Sequence, residues 1–91
     1  MRNENFDIPV TIETTEIDAA ARERVVTDTI QAAEILLRRW PDDGRGQKYK
    51  AALRACMDAM EQRRAVASAR KAFVAAAKDA HIFVRAGARP H

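Results

Sequence analysis

Hydrophobic and polar positions alternate along residues 9–14, where a valine and an isoleucine are separated by a threonine and followed by a glutamate. An alternation with a period of two is typical of a strand with one buried face. The polar stretch 15–19 predicts a turn, and the β-branched content of residues 22–27 predicts a returning strand. Residues 19–24 taken alone also fit a helix. We favour a hairpin at the start of the chain.

A capping signal marks the beginning of the next element. Asp28 can accept hydrogen bonds from the N–H groups of a first helical turn, and Gln31, three residues later, can reach back as in a capping box. Pro41 predicts the end of this helix, because the residue before a proline is disfavoured in the helical conformation. The face predicted to meet the core consists of Ile30, Ala33, Leu36, Leu37 and Trp40.

Two further amphipathic segments follow a loop at residues 42–46. The second helix is predicted to span residues 47–63. No glycine or proline separates it from the third, but one long helix could not bury both apolar faces against one small core. We therefore place a turn at residues 62–67, and a short closing strand at residues 81–85. The predicted buried faces are Tyr49, Ala52, Leu53, Cys56, Ala59 and Met60 in the second helix, and Val66, Ala69, Phe73, Ala76, Ala77 and Ala80 in the third.

These elements predict one α+β domain over residues 1–91, with the order ββαααβ and a single layer of helices packed on a small sheet. A chain of this length buries only about two-thirds of its unfolded surface, so its few aromatic residues are expected to anchor the core. Residues 1–7 and 86–91 are predicted to be frayed tails.

The charge distribution is asymmetric, although the net charge is only +3. Residues 1–37 carry three basic and eight acidic side chains, a balance of −5, whereas residues 38–91 carry thirteen basic and five acidic side chains, a balance of +8. Such an asymmetry favours encounters with an acidic partner, and it would serve head-to-tail self-association equally well.

The compartment is predicted from three absences in the sequence. The first residues lack the features of a signal peptide, and no apolar run approaches the ~20 residues that span a bilayer. A single cysteine excludes an intrachain disulfide. We therefore expect a cytoplasmic protein without a membrane segment.

No pattern of residues predicts a catalytic or metal site. Cys56 lies mid-helix on an apolar face without a neighbouring base, so a structural core cysteine is expected. His81 and His91 lack the short spacing of zinc ligands. Residues 42–44 lack the alternating oxygen ligands of a calcium loop, and residues 44–46 lack the lysine of a phosphate loop, although the helix start that follows could hold an anion weakly. We predict a protein that is not an enzyme and that binds no cofactor.

A candidate interaction surface lies around the end of the first helix. Trp40 and Tyr49 could frame a small pocket there, but both fall on apolar faces, and core packing with the indole N–H bound to a nearby carbonyl is expected. Ile35 is predicted to project away from the core onto a charged face, where an apolar residue can seed a protein contact. The surface comprises Ile35, Arg38, Arg39, Arg45 and Lys48.

Several segments together resemble a known family. They include a Trp-Pro pair, an Ala-Cys-x-Asp-Ala segment and an Ala-Arg-x-Ala-Phe segment. The positions that carry the resemblance are residues 9–12, 36–41, Gly46, Tyr49, 52–59, 69–77 and 82–84. The chain resembles the short bacterial family catalogued as domain of unknown function 982. The resemblance implies a strand pair, helices and a closing strand, and it implies no activity. Between the last two helices, where a glycine or a helix-starting proline is expected, this chain has Gln62 and the pair 65–66.

The predicted function is a small non-enzymatic interaction or regulatory module, acting through a helix face or by self-association as a homodimer. The alternative is a nucleic-acid-binding protein that uses the basic residues 38–91. Acidic residues are interleaved with the basic ones, and no aromatic residue is left over for base stacking, which disfavours this alternative.

Overall fold

The chain forms a three-stranded sheet and three helices in the order ββαααβ, which confirms the predicted α+β fold. The computed structural model describes residues 5–15 and 21–86. The elements are β1 (Asn5–Thr15), β2 (Ala21–Asp28), α1 (Thr29–Arg38), a short 3-10 helix (Asp42–Gly44), α2 (Gln47–Met60), α3 (Val66–Asp79) and β3 (Phe83–Ala86). The predicted turn at residues 15–19 lies almost entirely outside the described residues, since only its first residue, the last of β1, is described.

The sheet is antiparallel with the strand order β2-β1-β3, so the closing strand pairs with the edge of β1 that β2 leaves open. Val10 and Ile12 of β1 and Val26 of β2 are fully buried, and Val10 lies opposite Val26 in the register. The burial of Val10 and Ile12 confirms the face predicted from the alternation in β1, although Thr11, on the other face, is buried as well. On the opposite face, Arg85 of β3 forms an ion pair of 3.0 Å with Glu23 of β2.

Strand β1 begins earlier than predicted. Residues 5–7 belong to it, and Phe6 is buried in the core, so the prediction that this part of the tail is frayed is wrong. The reason is the aromatic side chain of Phe6, whose burial holds the start of the strand against the core. Ala86 likewise belongs to β3 and pairs with Val10. Residues 1–4 and 87–91 lie outside the described residues.

Helix α1 begins at the predicted cap. The Asp28 carboxylate accepts a hydrogen bond from the backbone N–H of Gln31 at 2.7 Å. The Gln31 side-chain oxygen accepts from the backbone N–H of Thr27 at 2.9 Å. The reciprocal arrangement resembles a capping box in which the return bond reaches the residue before the cap. The helix ends at Arg38, ahead of Pro41, as predicted.

The buried side of α1 differs from the prediction. Thr29, Ala32, Ala33, Ile35 and Leu36 are buried, and Ile35 is only 4% exposed. Ile30 and Leu37, which were predicted to face the core, are exposed. With about 100° between successive residues, they project roughly 140° and 160° away from Ile35. The prediction that Ile35 is a surface residue is therefore wrong, because α1 packs against both β2 and α2 and buries the arc that contains Ile35.

Helices α2 and α3 are separated where a turn was predicted, and α2 is about three residues shorter than expected. Gln62 adopts a left-handed conformation with φ 64°. Its N–H donates to the carbonyl of Ala59 at 3.0 Å, and the N–H of Arg63 donates to the carbonyl of Asp58 at 2.8 Å. These two bonds define a Schellman motif, which usually has glycine at the left-handed position. Gln62 thus takes the place of the glycine that was expected here.

The end of α3 repeats the motif. His81 has φ 62°, its N–H donates to the carbonyl of Lys78 at 3.1 Å, and the N–H of Ile82 donates to the carbonyl of Ala77 at 3.0 Å. The motif turns the chain back toward the sheet, where the N–H of Glu13 donates to the carbonyl of Ile82 at 2.8 Å. The structural role of His81 is to end this helix.

The remaining core follows the predicted faces closely. Phe73 is fully buried at the centre, and Leu36 and Ile12 are among the other large side chains without exposure. Four residues predicted to be buried are only partly buried: Leu53, Met60, Val66 and Ala80. Ala55 is fully buried although it was not predicted to be. Alanines at the helix contacts allow α2 and α3 to approach closely, which suits a chain with few large apolar residues. The buried residues of these two helices are Tyr49, Ala52, Ala55, Cys56, Ala59, Ala69, Phe73, Ala76 and Ala77.

Candidate functional site

The connection between α1 and α2 is organised around Trp40. Its ring meets Phe73 edge-on at 5.6 Å between centroids, and Tyr49 lies 6.1 Å away. The indole N–H donates to the carbonyl of Gly44 at 3.0 Å, and the Tyr49 hydroxyl donates to the carbonyl of Leu36 at 2.8 Å. The predicted core packing of Trp40, with its N–H bound to a nearby carbonyl, is confirmed.

Gly44 allows the loop to lie directly against the end of α3. A Cβ atom at this position would lie 2.6 Å from the Cβ of Ala80, closer than two carbon atoms can pack. By contrast, no atom lies within 4 Å of the corresponding position at Gly46. Position 44 therefore requires glycine because no space is left for a side chain. The close contact keeps the loop beside Trp40, whose indole N–H binds the Gly44 carbonyl.

Arg45 stabilises the same connection from outside. Its guanidinium lies 5.4 Å from the centre of the Tyr49 ring and donates to the carbonyl of Trp40 at 3.2 Å. It also lies 3.9 Å from the carboxylate of Asp42. Arg45 was predicted as an interaction residue, and the structure gives its side chain partners within the chain.

A cleft of about 320 Å³ opens beside this connection. It lies where β1, the α1–α2 loop and the turn before β3 meet. Two carboxylates and one guanidinium line it, but it contains neither cysteine nor histidine, so its lining offers no thiol or imidazole for nucleophilic chemistry. The lining residues are Glu13, Thr14, Arg39, Trp40, Pro41, Asp42 and Ile82.

The predicted interaction residues do not form one surface. Arg38 and Arg39 are exposed at the end of α1, and Lys48 is exposed in the first turn of α2. Arg39 and Asp42 both line the cleft, and Arg45 forms an ion pair with Asp42. Ile35 is separated from all of them, because its side chain lies in the core.

An apolar stripe that was not predicted from the sequence lies on the outer side of α1. Ile30 is 58% exposed and Leu37 is 56% exposed, and Glu34 is exposed between them. We call Ile30, Glu34 and Leu37 the α1 stripe. One signal was present in the sequence: α1 is apolar around more of its circumference than a single buried face requires. Elsewhere in the described chain, Ile8, Val25 and Met57 are exposed singly on other elements.

A second surface feature is a basic groove of about 360 Å³ along α2. It is lined by Gln47, Lys50, Ala51, Arg54 and Arg64. Lys50 and Arg54 are four residues apart on the helix, a spacing at which like charges destabilise a helix by about 0.2–0.5 kcal/mol. The spacing of Arg54 and Asp58 suits an ion pair, but in the structure Asp58 pairs with Arg64 at 3.3 Å.

The single cysteine of the chain lies in the core. Cys56 is fully buried, as predicted, and burial raises the pKa of its thiol to about 12. A thiol with so high a pKa is not a nucleophile at neutral pH.

Among residues 5–15 and 21–86, no group of three or more histidine, cysteine, aspartate or glutamate side chains is placed to hold a metal ion. No helix in this part of the chain is long and apolar enough to cross a membrane.

The comparison with known families identifies one family over most of the chain. The model of the family described as "Protein of unknown function (DUF982)" matches residues 9–84. The chain belongs to this family. The matched range begins within β1, ends halfway through β3, and includes the Trp-Pro pair, the α1 stripe and the basic groove. No curated protein and no solved structure matches the chain significantly.

Proposed function

We propose that this DUF982 protein is a non-enzymatic interaction or regulatory module of the cytoplasm, and that the α1 stripe is its contact surface. The observation that carries the proposal is the exposure of two large aliphatic side chains on one side of one helix. Ile30 and Leu37 are spaced i and i+7, two of the positions that apolar anchors occupy when a helix docks into a partner, and Glu34 lies between them. The buried, high-pKa thiol of Cys56 supports a role without nucleophilic catalysis.

The size of the expected contribution follows from the exposed area. Complete burial of a leucine or isoleucine side chain contributes about 1.5–3 kcal/mol, and slightly more than half of each side chain remains to be buried. The two side chains together then contribute roughly 2–3 kcal/mol, or about 30- to 150-fold in affinity. Arg38 and Glu34 on the same side of α1 would add orientation rather than affinity.

The test combines light scattering with capture of partners from cell extract. The double variant Ile30→Gln/Leu37→Gln keeps a residue with good helix propensity at both positions. It should lose self-association or partner binding by roughly 30-fold or more. Met57→Gln is the matched control, because Met57 is 47% exposed on a different helix. A strict monomer that captures no protein, or a double variant that binds as well as the control, would contradict the proposal.

The second candidate is nucleic-acid binding through the basic half of the chain, and the basic groove is the observation that favours it. A binding titration at several salt concentrations distinguishes the two functions. Affinity that falls steeply with salt, and that survives Ile30→Gln/Leu37→Gln, supports nucleic-acid binding. An absence of binding at low salt ends this alternative.

A further inference from the structure

The basic groove holds positive charges that the described chain does not neutralise. Asp58 pairs with Arg64 at 3.3 Å, and Glu61 pairs with Arg63 at 3.5 Å. These are the acidic residues at this end of α2, and both are engaged by arginines of the following turn. Among the described residues, neither Lys50 nor Arg54 forms an ion pair with a carboxylate.

The balance of charge in the groove is therefore positive. Lys50, Arg54 and Arg64 contribute three positive charges, and Asp58 offsets one of them through Arg64, which leaves two. Lys50 and Arg54 also repel each other along the helix. The repulsion within such a cluster is lowered either when the side chains spread into solvent or when an anion bridges them.

We propose that this groove binds a phosphate group. A phosphomonoester carries between one and a half and two negative charges near neutral pH, which matches the two uncompensated charges. Guanidinium groups bind phosphate oxygens through two parallel hydrogen bonds, lysine supplies a point charge, and the Gln47 amide can donate a further bond. The volume of about 360 Å³ accommodates a phosphate with a small organic group attached.

A phosphate suits the groove better than an acidic peptide does. Ala51 is the only apolar side chain in the lining, so the groove offers little area to bury against a peptide. The three cationic residues line one open groove instead of lying along an extended track. The site does not depend on the α1 stripe, which lies on another helix.

The experiment measures the thermal unfolding of the full chain in sodium phosphate and in sodium chloride of equal ionic strength. We expect the Tm to rise with phosphate concentration beyond the rise in chloride, because a ligand that binds only the folded state stabilises it. Arg54→Gln should weaken phosphate binding by roughly tenfold or more, since it removes a charged hydrogen-bond donor.

Lys71→Gln provides the matched control. It removes one positive charge from an exposed position of α3 outside the groove, so its response to phosphate should equal that of the unaltered chain. Equal Tm values in phosphate and chloride, or an equal loss in both variants, would overturn the proposal.

Two further ligands identify the source of the phosphate. If a mononucleotide binds and Arg54→Gln weakens that binding, the ligand of the groove is a small phosphorylated molecule. A single-stranded oligonucleotide is the second ligand. If it binds much more tightly than the mononucleotide, and if its affinity falls steeply with salt, the groove binds a nucleic-acid backbone. If neither ligand nor inorganic phosphate binds, the groove is an ordinary solvated surface and the proposal is wrong.

Discussion

Replacement of Gly44 by alanine tests whether the loop after α1 is held by close packing against α3. The added methyl carbon would lie 2.6 Å from the Cβ and 3.3 Å from the Cα of Ala80. Both atoms are fixed to the backbone at the end of α3, so neither can rotate away. The loop and the helix must separate, and the separation strains the hydrogen bond of 3.0 Å from the Trp40 indole to the carbonyl of Gly44.

The magnitude is the balance of three effects. Overpacking of a close contact costs about 1–3 kcal/mol. Weakening of the buried Trp40 hydrogen bond adds about 1 kcal/mol. Replacing glycine by alanine also lowers the conformational entropy of the unfolded chain, which stabilises the folded state by about 0.4–1 kcal/mol. The net destabilisation is therefore about 1–3 kcal/mol, which lowers the Tm of a domain of this size by roughly 5–20 °C.

Urea unfolding monitored by the fluorescence of the single tryptophan measures this change directly. Gly46→Ala is the control, because no atom lies within 4 Å of the added methyl group, and its expected effect is within about 0.5 kcal/mol. Ala80→Gly removes the closest atom, so the double variant Gly44→Ala/Ala80→Gly should recover part of the lost stability. Equal stabilities for the two alanine variants, or simple additivity in the double variant, would refute the packing argument.

Three further predictions concern the caps and the cysteine. Gln62→Gly should raise the free energy of unfolding by about 0.5–1 kcal/mol, since glycine adopts the left-handed conformation without strain; a fall in the urea midpoint would show that the side chain itself contributes. Asp28→Ala should cost about 1 kcal/mol while Asp28→Asn costs only a few tenths, and equal losses would mean that the cap is not the cause. Cys56 should resist a thiol reagent in the folded protein and react fully in denaturant. Its pKa is raised from 9.0 to about 12, so the unfolded state loses its proton first and stability should fall between pH 9 and pH 12, with a shallower fall for Cys56→Ala.

Local chemistry determined the elements and most of their boundaries. The alternation in β1, the Asp28 cap and the stop before Pro41 each act within a few residues, and each was predictable from the sequence for that reason. The family could be recognised from spaced residues along most of the chain. The burial of Phe73 and Cys56 followed from the apolar helix faces on which they lie.

Tertiary packing decided which side of α1 faces inward. The helix has large apolar residues on two arcs, and its own periodicity does not choose between Ile35 and the pair Ile30 and Leu37. The position of β2 and α2 makes the choice, and it reversed the predicted surface: Ile35 entered the core and the α1 stripe became exposed.

Ion pairing was decided in the same way. Helical spacing pairs Asp58 with Arg54, but the turn after Gln62 brings Arg64 to Asp58 and leaves Arg54 with Lys50 in the basic groove. The two surfaces on which the functional proposals rest therefore depend on packing: the α1 stripe on how α1 lies against β2 and α2, and the basic groove on the turn that follows α2. Secondary structure is a local property of this sequence, whereas its exposed chemistry depends on how the helices dock.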